Sequence, residues 1–412
     1  MSTWLLPYGD LTAEQQRAVQ FTPDRHRVVF GGPGSGKTMI LLHRAAQLVR
    51  ERHVAPGRFR IFVFTNVLKE YIRSALELLG LPEDCILTYD HWCNLYYTEH
   101  IGGRLPWNGR GPDYRAIRNE VFRHAQMNAA AAPAYDFILV DEGQDLDPVS
   151  FETMKLVSRH VTVSMDHKQQ IFENGASEDT IMRELGLNKR NMTVLGTYRC
   201  CPYIVKLAST LLPEGEERES YLNQSRTDQT ERQTPLLYYA DDRADELDRL
   251  AEAIRARQNR GDRIAVFLPT NQLVYSYAGE LKKLGIDLEV QRAKEGAAFK
   301  PLDFSSDRPK MMTYHSAKGL TFDSVLLPNL GKDWFPRAKW ADIERLVFVG
   351  ITRATKWVFL STRKDGEFKP LEKIVPLATH GSLSIQRAGV HTQGNRSSGR
   401  EKTEEENIID IL

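Results

Sequence analysis

Between an apolar run, Arg27-Val28-Val29-Phe30, and a helical pattern from Met39 to Arg50 stands the octapeptide GGPGSGKT, Gly31 to Thr38. A strand, a glycine-rich loop and a helix in that order make a phosphate cradle. The glycines let backbone N–H groups approach a polyphosphate closely, and the helix N-terminus adds the positive end of its dipole. Gly31, Gly32, Gly34, Ser35 and Gly36 are therefore candidate nucleotide contacts. Lys37 is expected to reach the β/γ-phosphates and the Thr38 hydroxyl to bind Mg²⁺. The strand–loop–helix context favours binding of a nucleoside triphosphate over a merely structural glycine turn.

A second motif fits the first. Phe137-Ile138-Leu139-Val140 reads as a fully apolar strand, and Asp141-Glu142-Gly143-Gln144-Asp145 follows at once. A carboxylate at the C-terminal end of a parallel strand stands where the phosphates of such a loop also lie. Asp141 is the expected Mg²⁺ ligand, directly or through water. Glu142 is the expected base that orients and deprotonates the attacking water. An acidic loop after a core strand is the plainer reading of these residues alone, and the cradle upstream weighs against it.

The remaining chain suits two domains. Short apolar runs alternate with helical patterns, at Val28–Phe30, Arg60–Phe64, Phe137–Val140, Val161–Ser164, Arg263–Leu268, Ser324–Leu327 and Trp357–Leu360. Alternation of this kind implies parallel sheets with crossover helices. With 412 residues, two α/β domains are expected, over 1–190 and 191–378, with a short excursion over 101–134 that opens on the Gly/Pro-rich segment Ile101 to Pro112, read as a loop. Residues 379–412 lose their apolar content and read as a flexible polar tail. Its end, Glu404 to Leu412, turns from acidic to apolar, as either a docking peptide or a frayed terminus. Lys+Arg 55 against Asp+Glu 54 excludes binding of nucleic acid through overall basicity, but not a local basic groove. Cys85, Cys93, Cys200 and Cys201 form no CxxC pair and read as reduced thiols. With no signal pattern and no bilayer-length apolar stretch, a cytoplasmic protein without membrane contact is expected.

Six further segments complete a recognisable order of motifs. Leu11 to Val19 carries Gln15 in a glutamine motif, and Phe62-Val63-Phe64-Thr65-Asn66 follows the second apolar run. Asp166 to Phe172 (DHKQQIF) includes Gln169, and Gly196-Thr197-Tyr198-Arg199 follows. Thr313 to Phe322 (TYHSAKGLTF) and Arg345 to Ala354 (RLVFVGITRA) close the series. Together with the cradle and DEGQD, the set resembles a superfamily 1 helicase motor of the UvrD/Rep/PcrA type, over about residues 8 to 362. The resemblance implies two tandem RecA-like domains with the ATP site in the cleft between them. It implies adenine contacts from Gln15 and Tyr198, γ-phosphate sensing by Gln169, and positive charge in hydrolysis from Arg199 and the arginine finger Arg353. It places Phe64, Thr65 and Asn66 on DNA, and His315 near the DNA track or a coupling hinge, a buried structural histidine being the alternative. Gly319, after Lys318, would bring backbone close to a phosphate of ATP or of DNA.

The function so implied is ATP-dependent translocation on single-stranded DNA, 3′ to 5′, with ATP and Mg²⁺ as cofactors. Its partner would be a single strand or a duplex with a single-stranded end. Three departures qualify it. The large insertions of both motor domains are absent, so the chain reads as a nearly bare motor. Glu173-Asn174-Gly175-Ala176 follows Phe172, where the family commonly has a tryptophan that stacks on a base; Trp92, Tyr96 and Tyr97 could stack from elsewhere or pack a core. Thr321 replaces the acidic residue of K-G-L-E-F, and Met165 replaces the usual glycine before Asp166. The short build and the terminal peptide keep a second reading open, a DNA-sensing ATPase subunit that assists a partner nuclease. A small-molecule kinase would explain the cradle alone.

Overall fold

The computed structural model describes residues 5–109, 111–129, 134–166, 175–188, 192–196, 200–225, 233–291, 302–331, 339–363 and 368–389. Its contacts divide the chain into two units, Met1–Thr197 and Tyr198–Leu412. Each is a parallel sheet with helices packed on it.

In the first unit the strands are β1 (Arg27–Gly31), β2 (Phe59–Val63), β3 (Ile86–Thr88), β4 (Phe137–Val140), β5 (Val161–Met165) and β6 (Met192–Leu195). They pair in the order β3-β2-β4-β5-β1-β6, every pair parallel. A parallel sheet covered by crossover helices is buried on both faces, so its strands read as continuous apolar runs rather than alternating ones. All of β4 and β5 is buried accordingly. The register sets Val29 beside Ser164 and Leu139 beside Thr162. The carboxyl ends of β1, β4 and β5 thus share one edge of the sheet.

Two expectations are corrected here. Residues 192–195 do not open the second unit. They form β6, which pairs with β1 from Val28↔Met192 to Gly31↔Leu195. A short apolar run carries no mark of which sheet it joins. The excursion within 101–134 also holds a full helix, Tyr114–Met127, which buries Ile117, Val121 and Ala125 in the core. Its apolar residues at i, i+4 and i+8 line one face and make it a packed element.

The second unit contains β7 (Leu236–Ala240), β8 (Ile264–Leu268), β9 (Glu289–Val290), β10 (Lys310–Thr313), β11 (Phe322–Leu327), β12 (Ala354–Arg363) and β13 (Ser384–Arg387). The order is β13-β7-β12-β11-β8-β10-β9, again all parallel. The strand β13 lies within the span read as a polar tail. It is an edge strand, from Ser384↔Leu236 to Arg387↔Tyr239. Ile385 is its single apolar residue, so the backbone ladder rather than side-chain burial defines it. The helix Arg243–Asn259 is pinned to this sheet by buried polar groups. Glu246 accepts from Tyr277 Oη at 2.6 Å, Ser361 Oγ at 2.6 Å and the Asn329 amide at 2.8 Å. The Arg257 guanidinium lies 3.9 Å from the centroid of the Trp357 ring. Among the described residues no helix is long and apolar enough to cross a membrane. The four cysteines are buried thiols, and burial pushes Cys85 up to about 12.

Candidate functional site

The cradle forms at the carboxyl end of β1. Gly34 and Gly36 take φ of +75° and +84°, a region open to glycine and strained for other residues. Gly36 is also the N-cap of the helix Lys37–Arg52, and no side chain caps it. The first amides of that helix are therefore left to a ligand, as at other anion-binding helix starts. A Cβ added at Gly31 would stand 2.3 Å from Ser35 Oγ, so the loop closes on itself only with glycine there. Ser35 Oγ is buried without a hydrogen-bond partner among the described residues, a donor suited to a phosphate oxygen. Lys37 Nζ donates to Gly31 O at 2.8 Å and Gly32 O at 3.3 Å, which holds its charge over the loop.

Gln15 is tied to the cradle from the preceding helix. Thr12 and Gln15 form a capping box at the start of Ala13–Val19, with the Thr12 amide donating to Gln15 Oε1 at 3.0 Å. The other end of the same side chain, Nε2, donates to Ser35 O at 2.9 Å. A Cβ at Gly36 would stand 2.9 Å from that nitrogen. One side chain thereby caps a helix and braces the loop.

The second motif closes around the first. Thr38 Oγ1 donates to Asp141 Oδ2 at 2.5 Å, joining residues far apart in sequence. Ser164 Oγ donates to Asp141 Oδ1 at 2.6 Å, and the Glu142 amide to the same oxygen at 3.1 Å. Burial, and then the Glu142 charge, raise the Asp141 carboxyl above its ordinary range. A divalent cation is the group that such a hydroxyl–carboxylate pair accepts, and Mg²⁺ in nucleotide sites takes one or two protein ligands beside phosphates and waters. The residues present fit ATP with Mg²⁺. Glu142 is buried and sits in the left-handed region at φ +54°, ψ +45°. A non-glycine residue held there is a strained position of the kind that clusters at active sites.

Sequence reasoning missed what holds Glu142. Gln144, fully buried, donates from Nε2 to Glu142 Oε2 at 2.5 Å and accepts from the Asp166 amide at 3.1 Å. It links the acidic loop after β4 to the end of β5. Ser164 was missed too, because a serine inside a strand carries no motif. The spacing of Gln144 within DEGQD was the one available signal.

The other candidates are placed as follows. Thr65 accepts from the Leu68 amide at 3.0 Å and caps the helix Asn66–Leu79. Phe64 is half-buried and Asn66 exposed, all three at the carboxyl end of β2. Trp92 and Tyr97 are buried, and Trp92 Nε1 donates to Tyr135 Oη at 2.9 Å, so these rings belong to the core. In the second unit, His315 is exposed in the turn after β10. Gly319 has φ +80° in the same segment, which runs to β11. Arg353, buried just before β12, donates to Val349 O at 3.1 Å and Leu320 O at 3.5 Å. The structure thus joins the last two motifs through Arg353 and the residue after Gly319. Gln169, Tyr198 and Arg199, like the peptide Glu404–Leu412, lie outside the described residues.

Comparison with known proteins agrees with these motifs. Residues 11–102 match the UvrD/REP helicase N-terminal domain, and residues 298–365 match the UvrD-like helicase C-terminal domain. The ATP-dependent DNA helicase PcrA of Bacillus subtilis is 36% identical over 153 residues, 36% of this chain and 18% of that protein. The ATP-dependent DNA helicase srs2 of Schizosaccharomyces pombe is 35% identical over 104 residues, 24% of this chain and 12% of that one. The mitochondrial ATP-dependent DNA helicase HMI1 of Saccharomyces cerevisiae is 23% identical over 374 residues, 67% of this chain and 52% of that one. The chain therefore spans less than a fifth of PcrA and srs2 and about half of HMI1.

Proposed function

The chain belongs to the UvrD/Rep helicase family, and on that premise we propose that it is an ATP-hydrolysing motor driven by single-stranded DNA, moving 3′ to 5′. The observation that carries the proposal is the joined Thr38–Asp141 pair with the strained, buried Glu142 beside it. Bound ATP with Mg²⁺ supplies the scissile phosphoanhydride and neutralises the charge that develops on it. The chain's own residues do the rest. The loop amides, Ser35 and Lys37 bind phosphate oxygens, and Thr38 and Asp141 hold the cation. Glu142 orients water and takes its proton at a carboxylate oxygen, while Gln144 fixes the carboxylate. Gln169, Arg199 and Arg353 are assigned to γ-phosphate sensing and to positive charge during hydrolysis. Gln15 and Tyr198 are assigned to adenine. Phe64, Thr65, Asn66 and His315 are assigned to the strand, and Gly319 to a close backbone approach.

The test is ATP hydrolysis by the purified chain with no nucleic acid, with single-stranded DNA, with duplex and with RNA. Strong stimulation by single-stranded DNA supports the motor. A flat, low rate with every polymer overturns it and favours the gated subunit that serves a nuclease.

A further inference from the structure

We propose that the loop carrying Trp107 is a stacking platform for bases of single-stranded DNA, an extension of the strand-binding surface along the β3 edge of the first unit. The inference rests on the motor reading above. Trp107 is 58% exposed, and Tyr114, at the first position of the next helix, is 42% exposed. The described residues around them are bonded to one another. Trp107 and Pro112 form an antiparallel bridge, the Asn108 amide donates to Gly111 O at 3.0 Å, and the Asp113 amide to Pro106 O at 2.9 Å. Asn108 Oδ1 accepts from the Gly111 amide at 3.1 Å, and Asp113 caps the helix through the Ala116 amide at 3.0 Å. Hydrogen bonds between residues 106–108 and 111–113 hold the exposed indole ready for a flat partner.

The loop also stands in the right place. Arg118, one turn into the helix, donates to Asp90 at 2.8 Å and Asp147 at 2.9 Å. Asp90 opens the helix that follows β3, and Asp147 caps the helix that follows the DEGQD loop. The start of the helix Tyr114–Met127 is therefore at the carboxyl edge of the first sheet. In that sheet β3 is the neighbour of β2, whose carboxyl end carries Phe64, Thr65 and Asn66. Arg104 and Arg115 flank the loop in sequence. Both are exposed, and neither has an ion-pair partner among the described residues. Exposed aromatics between cations match a chain of bases on a phosphate backbone, since stacking is tolerant of sequence and each arginine can neutralise a phosphate. The pattern also supplies a stacking group to a chain whose Glu173-Asn174-Gly175-Ala176 segment carries no aromatic.

The experiment is fluorescence anisotropy of a fluorescein-labelled oligo-dT with the full chain, beside its ATPase without DNA. Trp107→Ala should weaken binding about tenfold and Trp107→Phe by less than about threefold. Arg104→Ala with Arg115→Ala should flatten the slope of log affinity against log salt by about one to one and a half. ATPase without DNA should be unchanged in all of these. Equal binding by wild type and Trp107→Ala at matched salt overturns the platform while leaving the motor reading standing, and hands the surface to a protein partner. Absence of oligo-dT binding by the wild type overturns both, and is seen before any variant is made.

Discussion

At the residue scale, the roles of Lys37, Glu142 and Gln144 separate by what each removal leaves behind. Lys37→Ala removes phosphate-directed charge and should weaken ATP binding as well as abolish turnover. Glu142→Gln keeps the loop and the cation ligands, so ATP should still bind while hydrolysis falls by a factor on the order of 10²–10⁴. Equilibrium binding of a fluorescent ATP analogue, beside steady-state hydrolysis, checks the contrast; equal loss of binding in both would contradict it. Gln144→Leu keeps the volume but takes away the donor to Glu142 Oε2. A carboxylate that loses a donor is held less firmly toward the attacking water. We expect kcat to fall about tenfold with KM little changed, since a charge-assisted bond contributes about 1.5–3 kcal/mol. An unchanged kcat would leave Gln144 a structural role only. Arg353 calls for a conservative control, because its guanidinium also satisfies the Val349 and Leu320 carbonyls. Arg353→Ala should lower turnover more than ATP binding, and a thermal melt of Arg353→Lys separates charge placement from lost backbone support.

At the scale of elements, packing explains residues that no motif requires. Gly350 lies in the helix Trp340–Ile351 against the turn that carries His315. A Cβ there would stand 2.7 Å from Tyr314 Cε1 and 3.2 Å from Leu327 Cδ2, both in the core. Gly350→Ala should therefore be destabilising despite the better helix propensity of alanine. Overpacking costs about 1–3 kcal/mol and the propensity gain is about 1. A lower thermal midpoint, with ATP binding retained, is the expected outcome. A second element-scale test concerns the capping box. Thr12→Ala should cost about 1 kcal/mol of stability. It should also loosen Gln15 and raise KM for ATP, because the same glutamine braces Ser35.

At the scale of the whole molecule, the first unit carries a dependence on pH. Arg44 is fully buried and donates to Val19 O, Phe21 O and Thr162 Oγ1. Its Nη2 lies 3.0 Å from His160 Nε2. A guanidinium only donates, so that ring nitrogen must accept and His160 must be neutral. Burial and the Arg44 charge push its pKa down to about 3. His26 and His43 are lowered too, first of all by burial. Each is a histidine whose folded pKa lies below its unfolded value of about 6.5, so its contribution is complete above that pH and is lost as pH falls toward the folded value. For His160 alone the loss by pH 5 is about 2 kcal/mol. Urea unfolding at pH 7.5 and pH 5 checks this, and His160→Gln should flatten the difference.

Much of this molecule is local in the chain, and that part the sequence determined by itself. A glycine-rich cradle, an apolar strand ending in Asp-Glu, and strands buried on both faces are each written in consecutive residues. Their side-chain types and spacing dictate backbone geometry and burial without help from distant parts. Parallel α/β architecture follows, and so does the choice of the residues proposed for phosphate, cation and base. Only the tertiary structure decided the pairings between segments. It gave β6 to the first sheet and β13 to the second, where backbone hydrogen bonds outweigh a thin apolar signal. It set Gln144 between Glu142 and Asp166, and buried Trp92 while leaving Trp107 in water. Two tryptophans on one crossover look alike in composition. Which of them meets the core depends on where the intervening turn sends the chain, and that is a contact between distant residues rather than a property of either one.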